Sequence, residues 1–461
     1  MRLTVIGCGY LGAVHAAAMA DLGHHVLGVE TDPARLERLA RGQAPFYEPG
    51  LDELLRRGAR TGRLRYTAAL DGAAARADVH FLAVGTPQSP SGRGADLNHL
   101  WRAVDSLAEA LPRCVHPDGM PLVVGKSTVP VGTAQQVADR LAGRALVVWN
   151  PEFLREGMAV ADTLSPDRIV YGLPDEPARA ERARTILDEV YAPILEAGAP
   201  RLTMGYQTAE LVKTAANAFL ATKISFINAM SALCAATGAD VTVLADAIGR
   251  DARIGPHFLR AGLGFGGGCL PKDLRGLEQR AAELGANGLA SFLGRVDSIN
   301  RGQRDRVTQM ALDALGPNPA GRAVTILGIT FKPDSDDLRD SPVLEVALRL
   351  ADAGAVVTVH DPRGLAGLRR LHPVLRTQPD ALRALEGAEL VILGTEWKEL
   401  TDLDPEAAAA RVARPVLIDA RNALTPSRWT AAGWDYRGIG RPSGPRRSAP
   451  RHRALAGTMV G

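Results

Sequence analysis

Ten consecutive residues, Gly264-Phe265-Gly266-Gly267-Gly268-Cys269-Leu270-Pro271-Lys272-Asp273, bring a thiol, a carboxylate and four glycines into one segment. Glycine lets backbone approach a ligand closely because no Cβ intervenes. The proline just after the cysteine marks a helix start, which places Cys269 at the helix N-terminus. Unpaired N–H groups and the positive end of the helix dipole favour thiolate over thiol there. Asp273 follows one turn on and shares the face. The segment reads as an addressable nucleophile beside a carboxylate, or else as a glycine-rich loop with a buried, inert cysteine.

A second pair, Lys213 and Asn217, lies in a proline-free stretch of helical period from Met204 to about Thr237. This reads as one long helix or two abutting ones. The two residues are four apart and project from one face among Ala215, Ala216, Ala218 and Phe219. A lysine beside an amide among alanines fits a ligand or an inter-helix contact better than a solvated surface.

Such groups must be held by a scaffold, and the chain supplies two α/β units. Leu3–Ile6 is a short apolar run that meets Gly7-Cys8-Gly9-Tyr10-Leu11-Gly12, then an alanine-rich helix, then the strand His25–Val29 closed by Glu30. In this strand–turn–helix context the first glycine permits the tight turn. The second admits a pyrophosphate, and the third lets helix and strand pack. The phosphates would rest on the helix N-terminus. Glu30 would accept hydrogen bonds from ribose hydroxyls and repel a 2′-phosphate, which favours NAD over NADP. Further strands are expected at Val79–Val84, Leu122–Val124 and Ala145–Trp149. They end in the turns Gly85-Thr86-Pro87, Lys126-Ser127-Thr128-Val129-Pro130 and Asn150-Pro151-Glu152-Phe153-Leu154-Arg155-Glu156-Gly157, where ligands of open α/β sheets sit. The second unit starts at Ala323–Gly328 and continues with strands at Val356–Val359, Glu389–Gly394 and Val416–Ile418. Its first turn, Thr330-Phe331-Lys332-Pro333-Asp334, lacks the glycine pattern, so this half reads as the same architecture adapted to another ligand. Lys332 and Arg339 could hold phosphates there or be solvated charges.

The fold class expected is α/β: two Rossmann-like doubly wound domains joined by a long central helix. The expected division is a dinucleotide-binding domain over 1–200, a helical domain with the cysteine loop over 201–300, a second Rossmann-like domain over 315–440 and a disordered basic tail over 441–461. The 461 residues suffice for two or three full cores. Net charge is +3, with Arg441, Arg446, Arg447, Arg451 and Arg453 clustered at the end, so no nucleic-acid surface is indicated. No apolar run reads as long enough to span a bilayer, and the N-terminus lacks a cleavable apolar region. Cys8, Cys114, Cys234 and Cys269 have neither metal spacing nor a disulfide framework. The chain reads as cytoplasmic and reduced, without a metal site.

Together these segments resemble the UDP-glucose/GDP-mannose dehydrogenase family, and its UDP-glucose branch most closely, from Met1 to about Gly440. The resemblance rests on the glycine turn, Gly85-Thr86-Pro87, Lys126–Pro130, Asn150–Gly157, Asn217–Asn228, Arg253-Ile254-Gly255-Pro256, the Cys269 loop and Phe331-Lys332-Pro333-x-x-Asp336-Asp337-x-Arg339. It implies oxidation of a sugar C6 alcohol to a carboxylate, with two NAD per turnover and a thioester on Cys269. A water polarised by Asp273 would serve as base, Lys213 and Asn217 would hold the developing oxyanion, Glu152 would activate the hydrolytic water and Thr128 would position it. Gly7, Gly9, Tyr10, Leu11 and Gly12 would cradle NAD, with Glu30 and Arg35 at its ribose, Thr86 and Thr128 at the nicotinamide, and Lys272 and Arg339 nearby. Glu152, Phe153, Leu154, Lys213, Asn217, Phe265, Gly266 and Lys332 would meet the nucleotide sugar. Arg253 would reach a neighbouring subunit's sugar, so a homodimer or larger homo-oligomer is expected, with no nucleic-acid or membrane partner. Gly268 stands where the family commonly has serine, Thr214 replaces a common tyrosine and Leu270 a common phenylalanine. The rival readings are the same chemistry on TDP-glucose or GDP-mannose, a two-electron β-hydroxyacid-type dehydrogenase that needs neither Cys269 nor Glu152, and a non-catalytic NAD or nucleotide-sugar sensor.

Overall fold

A computed structural model of the chain describes residues 1–70, 72, 74–90, 94–112 and 119–442. Cys114 and the tail from 443 onward, including the disorder expected of it, lie outside the described residues.

The first sheet contains β1 (Arg2–Ile6), β2 (His25–Val29), β3 (Leu64–Thr67), β4 (Val79–Leu82), β5 (Leu122–Gly125), β6 (Leu146–Trp149), β7 (Ile169–Leu173) and β8 (Arg201–Gly205). Their order is β3-β2-β1-β4-β5-β6-β7-β8. The first six strands run parallel; β7 is antiparallel to β6, and β8 is parallel to β7. Every residue of β4, β5 and β6 is buried, as helices on both faces of a parallel sheet require. The pairs Ile6↔Leu82, Leu82↔Gly125 and Gly125↔Trp149 level the carboxyl ends of β1, β4, β5 and β6. The turns that follow these strands therefore gather along one edge.

The second sheet contains β9 (Ala323–Leu327), β10 (Val356–His360), β11 (Arg376–Thr377), β12 (Leu390–Leu393), β13 (Val416–Asp419) and β14 (Asp435–Gly438). All are parallel, in the order β11-β10-β9-β12-β13-β14. Both halves are thus doubly wound, with the central strand order 3-2-1-4-5-6 of dinucleotide-binding folds. The sequence pattern gives neither β3, β7, β8, β11 nor β14; β3, β8 and β14 are short or half-exposed and β11 has only two residues, whereas β7 is as long as β1 and buried.

Between the sheets runs one unbroken helix, Tyr206–Thr237, which Gly238 ends in the left-handed region at φ 80°. By length and composition this helix could cross a membrane, with a mean hydropathy of 1.4 over its most apolar window, contrary to the expectation that no run is long enough. Its inner face nevertheless buries Glu210, Lys213, Asn217 and Asn228, and it packs against Leu270–Glu283 and Asn287–Leu315. It is a core helix.

Candidate active site

The glycine turn shows a division of labour. Gly7 has φ 87°, and a Cβ there would lie 2.8 Å from Val84. A Cβ on Gly12 would collide with the Gly7 carbonyl. Gly9 has nothing within 4 Å of its Cβ position and is the N-cap of the helix Tyr10–Asp21, with no side chain capping it. Two glycines serve packing, and the middle one leaves open room for an anion at the free N–H groups of the helix end. At the end of β2, Glu30 is buried, accepts from the Asp32 N–H at 2.9 Å and pairs with Arg35 at 3.0 Å. These residues fit the diphosphate and ribose of NAD. Tyr10 turns elsewhere: its hydroxyl bonds to Glu48, whose carboxylate also takes the Gly157 and Ala159 N–H groups at 2.7 Å each. Leu11 lines the neighbouring cavity.

That cavity measures about 700 Å³. Cys269 opens onto it, joined by Gly266–Gly268 from its own loop, Glu152 and Phe153 from the turn after β6, Lys213 and Asn217 from the long helix, and Lys332 from the turn after β9. Lys213 bonds Glu152 at 3.0 Å. Asn217 donates to Asp273 Oδ2 at 2.6 Å, and Lys272 Nζ donates to its other oxygen at 2.6 Å. Glu152 also accepts the Leu154 N–H at 2.6 Å. Ammonium with carboxylate and amide with carboxylate thus form two bonded groups, and Cys269 opens onto the same cavity.

Its electrostatics correct one expectation. Cys269 does sit at the N-cap of Leu270–Glu283, yet it is not held as a thiolate. Although the residue is exposed to the cavity, its thiol is pushed up to about 12, chiefly by desolvation and then by Glu152, with Asp273 and Glu156 adding to this and Lys213 opposing. Burial pulls Lys213 down, but Glu152, Cys269 and Asp273 outweigh it and raise its pKa. The resting site is therefore a neutral thiol beside a firmly protonated lysine.

Several expected ligand contacts are engaged within the protein. Lys332 donates to the Glu156 carbonyl, and Arg339 pairs with Glu156 at 3.1 Å and Asp337 at 2.7 Å. Thr86 donates to the Thr128 carbonyl at 2.7 Å, tying two turns together beside the cavity, and neither residue lines it. Phe265 does not line the cavity either: its ring packs with Ala218, Ala221, Leu274 and Leu293. Arg253 is exposed, pairs with Asp251 at 2.6 Å and stands off the cavity. Gly268 has an unremarkable φ, so backbone freedom is not its purpose; a Cβ there would lie 2.5 Å from the Arg339 guanidinium. Thr214 donates to the Leu211 carbonyl at 3.3 Å, and Leu270 packs against the cluster that holds Phe265.

Other site residues are absent from the sequence reading. Asn300, fully buried on Asn287–Leu315, bonds both the N–H and the carbonyl of Phe265, at 2.8 and 3.0 Å. Arg421, after β13, donates to the carbonyls of Gly394, Gly264 and Phe331 at 2.6, 3.1 and 3.1 Å. Together they fix the glycine loop and the Phe331 turn. No local pattern marks either residue, because their partners are remote in sequence.

The strand order, the open middle glycine and the acid closing β2 define an NAD-dependent oxidoreductase. More particularly, the UDP-glucose/GDP-mannose dehydrogenase family matches in three parts: its NAD binding domain over residues 1–195, its central domain over 207–302 and its UDP binding domain over 325–426. The chain belongs to this family. UDP-glucose 6-dehydrogenase of Pseudomonas aeruginosa is 40% identical over 459 residues, covering 96% of this chain and 98% of its own length. That of Rhizobium meliloti is 39% identical, covering 96% of this chain and 100% of its own. The solved structure of a UDP-glucose dehydrogenase from Pyrobaculum islandicum superposes with a TM-score of 0.85 at 38% identity, covering 95% of this chain and 98% of that one.

Proposed function

We propose that the chain oxidises UDP-glucose at C6 to UDP-glucuronate with two NAD and one water. The observation that carries this reading is the convergence of Cys269, Lys213, Asn217 and Glu152 on one cavity beside the glycine turn, with Asp273 hydrogen-bonded behind Asn217. NAD, when bound, accepts hydride, and the chain's own residues do the rest. Asp273, gripped by Asn217 and Lys272, takes up the alcohol proton through a water. The Lys213 ammonium and the Asn217 amide stabilise the developing alkoxide. The Cys269 S–H then adds across the aldehyde C=O, sulfur to carbon and proton to oxygen, so a resting thiol suits this step. This adduct retains the reactive aldehyde, and loss of a second hydride, with the hydroxyl proton leaving through the water at Asp273, turns it into a thioester. Glu152, positioned by Leu154 N–H and Lys213, activates the water that cleaves it, with Thr128 at the adjoining turn.

We assign NAD to residues 1–200, the cysteine loop and helices to 201–300 and the nucleotide sugar's diphosphate to 315–440, where Lys332 and Arg339 would exchange Glu156 for phosphate. A homodimer or larger homo-oligomer is supported by Leu211, Phe219, Phe226 and Leu233, all exposed on the outer face of the long helix, a face that a second copy would cover. Arg253, free of its own cavity, would then serve the neighbour's sugar. The reaction consumes cytoplasmic metabolites, so the cytoplasm is its setting.

Counting NADH per mole of limiting UDP-glucose, with TDP-glucose and GDP-mannose alongside, tests this. Two NADH from UDP-glucose are expected; one would favour a two-electron dehydrogenase and sink the thioester. C269A is expected to lose net turnover by roughly 1,000-fold or more while still binding NAD.

A further inference from the structure

Among the residues that line the cavity with Glu152 is a polar group that the mechanism above does not use. Lys126, at the end of β5, is buried and lines the same cavity as Cys269, Glu152 and Lys213. Its hydrogen-bond partners among the described residues are neutral: Asn150 Oδ1 at 2.9 Å and the Tyr191 hydroxyl at 3.4 Å. Asn150 is itself fixed, accepting from Tyr191 at 2.8 Å and donating to the Val170 carbonyl at 2.9 Å. On the far side stands His15, buried, with no partner for Nε2 among the described residues. Burial and the charge of Lys126 hold this imidazole neutral. An ammonium this deeply buried, whose hydrogen-bond partners are neutral, is poised to lose its proton. Burial brings Lys126 from 10.5 to about 8; Glu152 opposes that shift and Lys213 assists it.

We propose that Lys126 is the internal proton acceptor of the hydrolytic half-reaction, acting through Glu152. This rests on the thioester reading. Glu152 pairs with Lys213 and accepts the Leu154 N–H, and it passes an added proton on. Lys213 is already protonated and cannot receive it. In the step, one O–H bond of water breaks as its oxygen bonds to the thioester carbon. That proton passes to Glu152 and on across the cavity to the neutral Lys126 amine. The C–S bond then breaks, and the sulfur takes the remaining hydroxyl proton to restore the Cys269 thiol. The carboxylate product forms, and Lys126 returns its proton to solvent once the site reopens.

Acyl–enzyme is followed by intact mass, and NADH by stopped flow, in single turnovers of wild type, E152Q, K126M and K126R. Both Lys126 variants are expected to form NADH within twofold of wild type, to accumulate acyl–enzyme and to hydrolyse it at least tenfold more slowly. K126R keeps the charge but cannot take a proton, so a slow K126R separates proton transfer from charge and from packing. Wild-type hydrolysis should rise with pH through about 8, and the K126M rate should be flat. Normal hydrolysis in K126R, or NADH formation slowed in parallel with hydrolysis in both variants, would overturn the proposal and leave Lys126 a structural tie. If E152Q accumulates no adduct, the thioester reading itself fails and takes the proposal with it.

Discussion

The two α/β halves share a sheet order and diverge at one turn. Gly7 after β1 and Gly328 after β9 both adopt positive φ, 87° and 84°, and each lies against the residue two past the end of the adjacent strand, Val84 in one half and Thr395 in the other. The first glycine therefore belongs to the architecture. The next two distinguish the halves, because Gly9 is open whereas its counterpart region carries Thr330 and Phe331. The acids differ in the same way. Glu30 at the end of β2 meets Asp32 N–H and Arg35. Asp361, at the matching end of β10, is buried and fully engaged: it takes the N–H groups of Ile329, Thr330, Arg363 and Gly364 and the Thr330 hydroxyl. One half leaves its acid with two partners at the edge of the glycine turn, and the other uses it to lock the turn that carries Lys332.

The comparison is most sharply broken at the glycines. Gly9→Val should weaken NAD binding by about 100-fold, close to 2.7 kcal/mol, with little change in melting temperature. Gly328→Val should leave the cofactor site alone and destabilise the protein by roughly 2–4 kcal/mol, through positive φ and collision with Thr395. Calorimetry with NAD and thermal melts separate the two, and equal losses of both properties in both variants would end the distinction. The acids give an intermediate effect. Asp361→Asn is expected to cost about 2–3 kcal/mol because buried donors lose a charged acceptor, without changing the KM for NAD. Glu30→Gln should cost under about 1 kcal/mol and raise that KM roughly tenfold.

The smallest effect belongs to the seam between the halves. Glu156, from the first, is bound by Ser335 and Arg339 of the second. Burial and Asp337 raise its pKa to about 7, against Arg339 and Lys332. A carboxyl whose folded pKa is raised contributes stability at low pH that is lost as pH climbs through the folded value. Stability should fall from about pH 4.5 to 7, and Glu156→Gln should flatten that window by on the order of 1 kcal/mol. Denaturant melts across pH read this directly, and an unchanged slope would remove Glu156 from the seam.

What was legible in the sequence was local. The Gly7–Gly12 turn, the buried runs of β4 to β6 and the pairing of Lys213 with Asn217 are each written within a few residues. The state of Cys269 was misread because its helix position is local, whereas Glu152 and Glu156, which oppose a thiolate, arrive from more than a hundred residues away. Asn300 and Arg421 were illegible for the same reason: each grips backbone, and backbone leaves no signature in residue type. Phe265 reads as a ligand contact because it neighbours glycines; its ring fills the core beneath them, which the sequence does not reveal.

The unbroken helix Tyr206–Thr237 acts as a gauge bar. At 1.5 Å per residue it is about 48 Å long. Near one end Glu210 grips the Gly132 and Ala134 N–H groups of the first half, at 2.7 and 2.6 Å. Toward the other, Asn228 holds the Gly262 N–H at 2.8 Å and Ser231 lies against Gly440. A tilt of about 5° at one end displaces the other by roughly 4 Å, more than the length of any hydrogen bond in the site. Lys213 and Asn217 lie close to the Glu210 anchor, where such a swing moves them least. The placing of Lys213 and Asn217 is thus insulated from flexing of the distant half by where along the bar they are mounted.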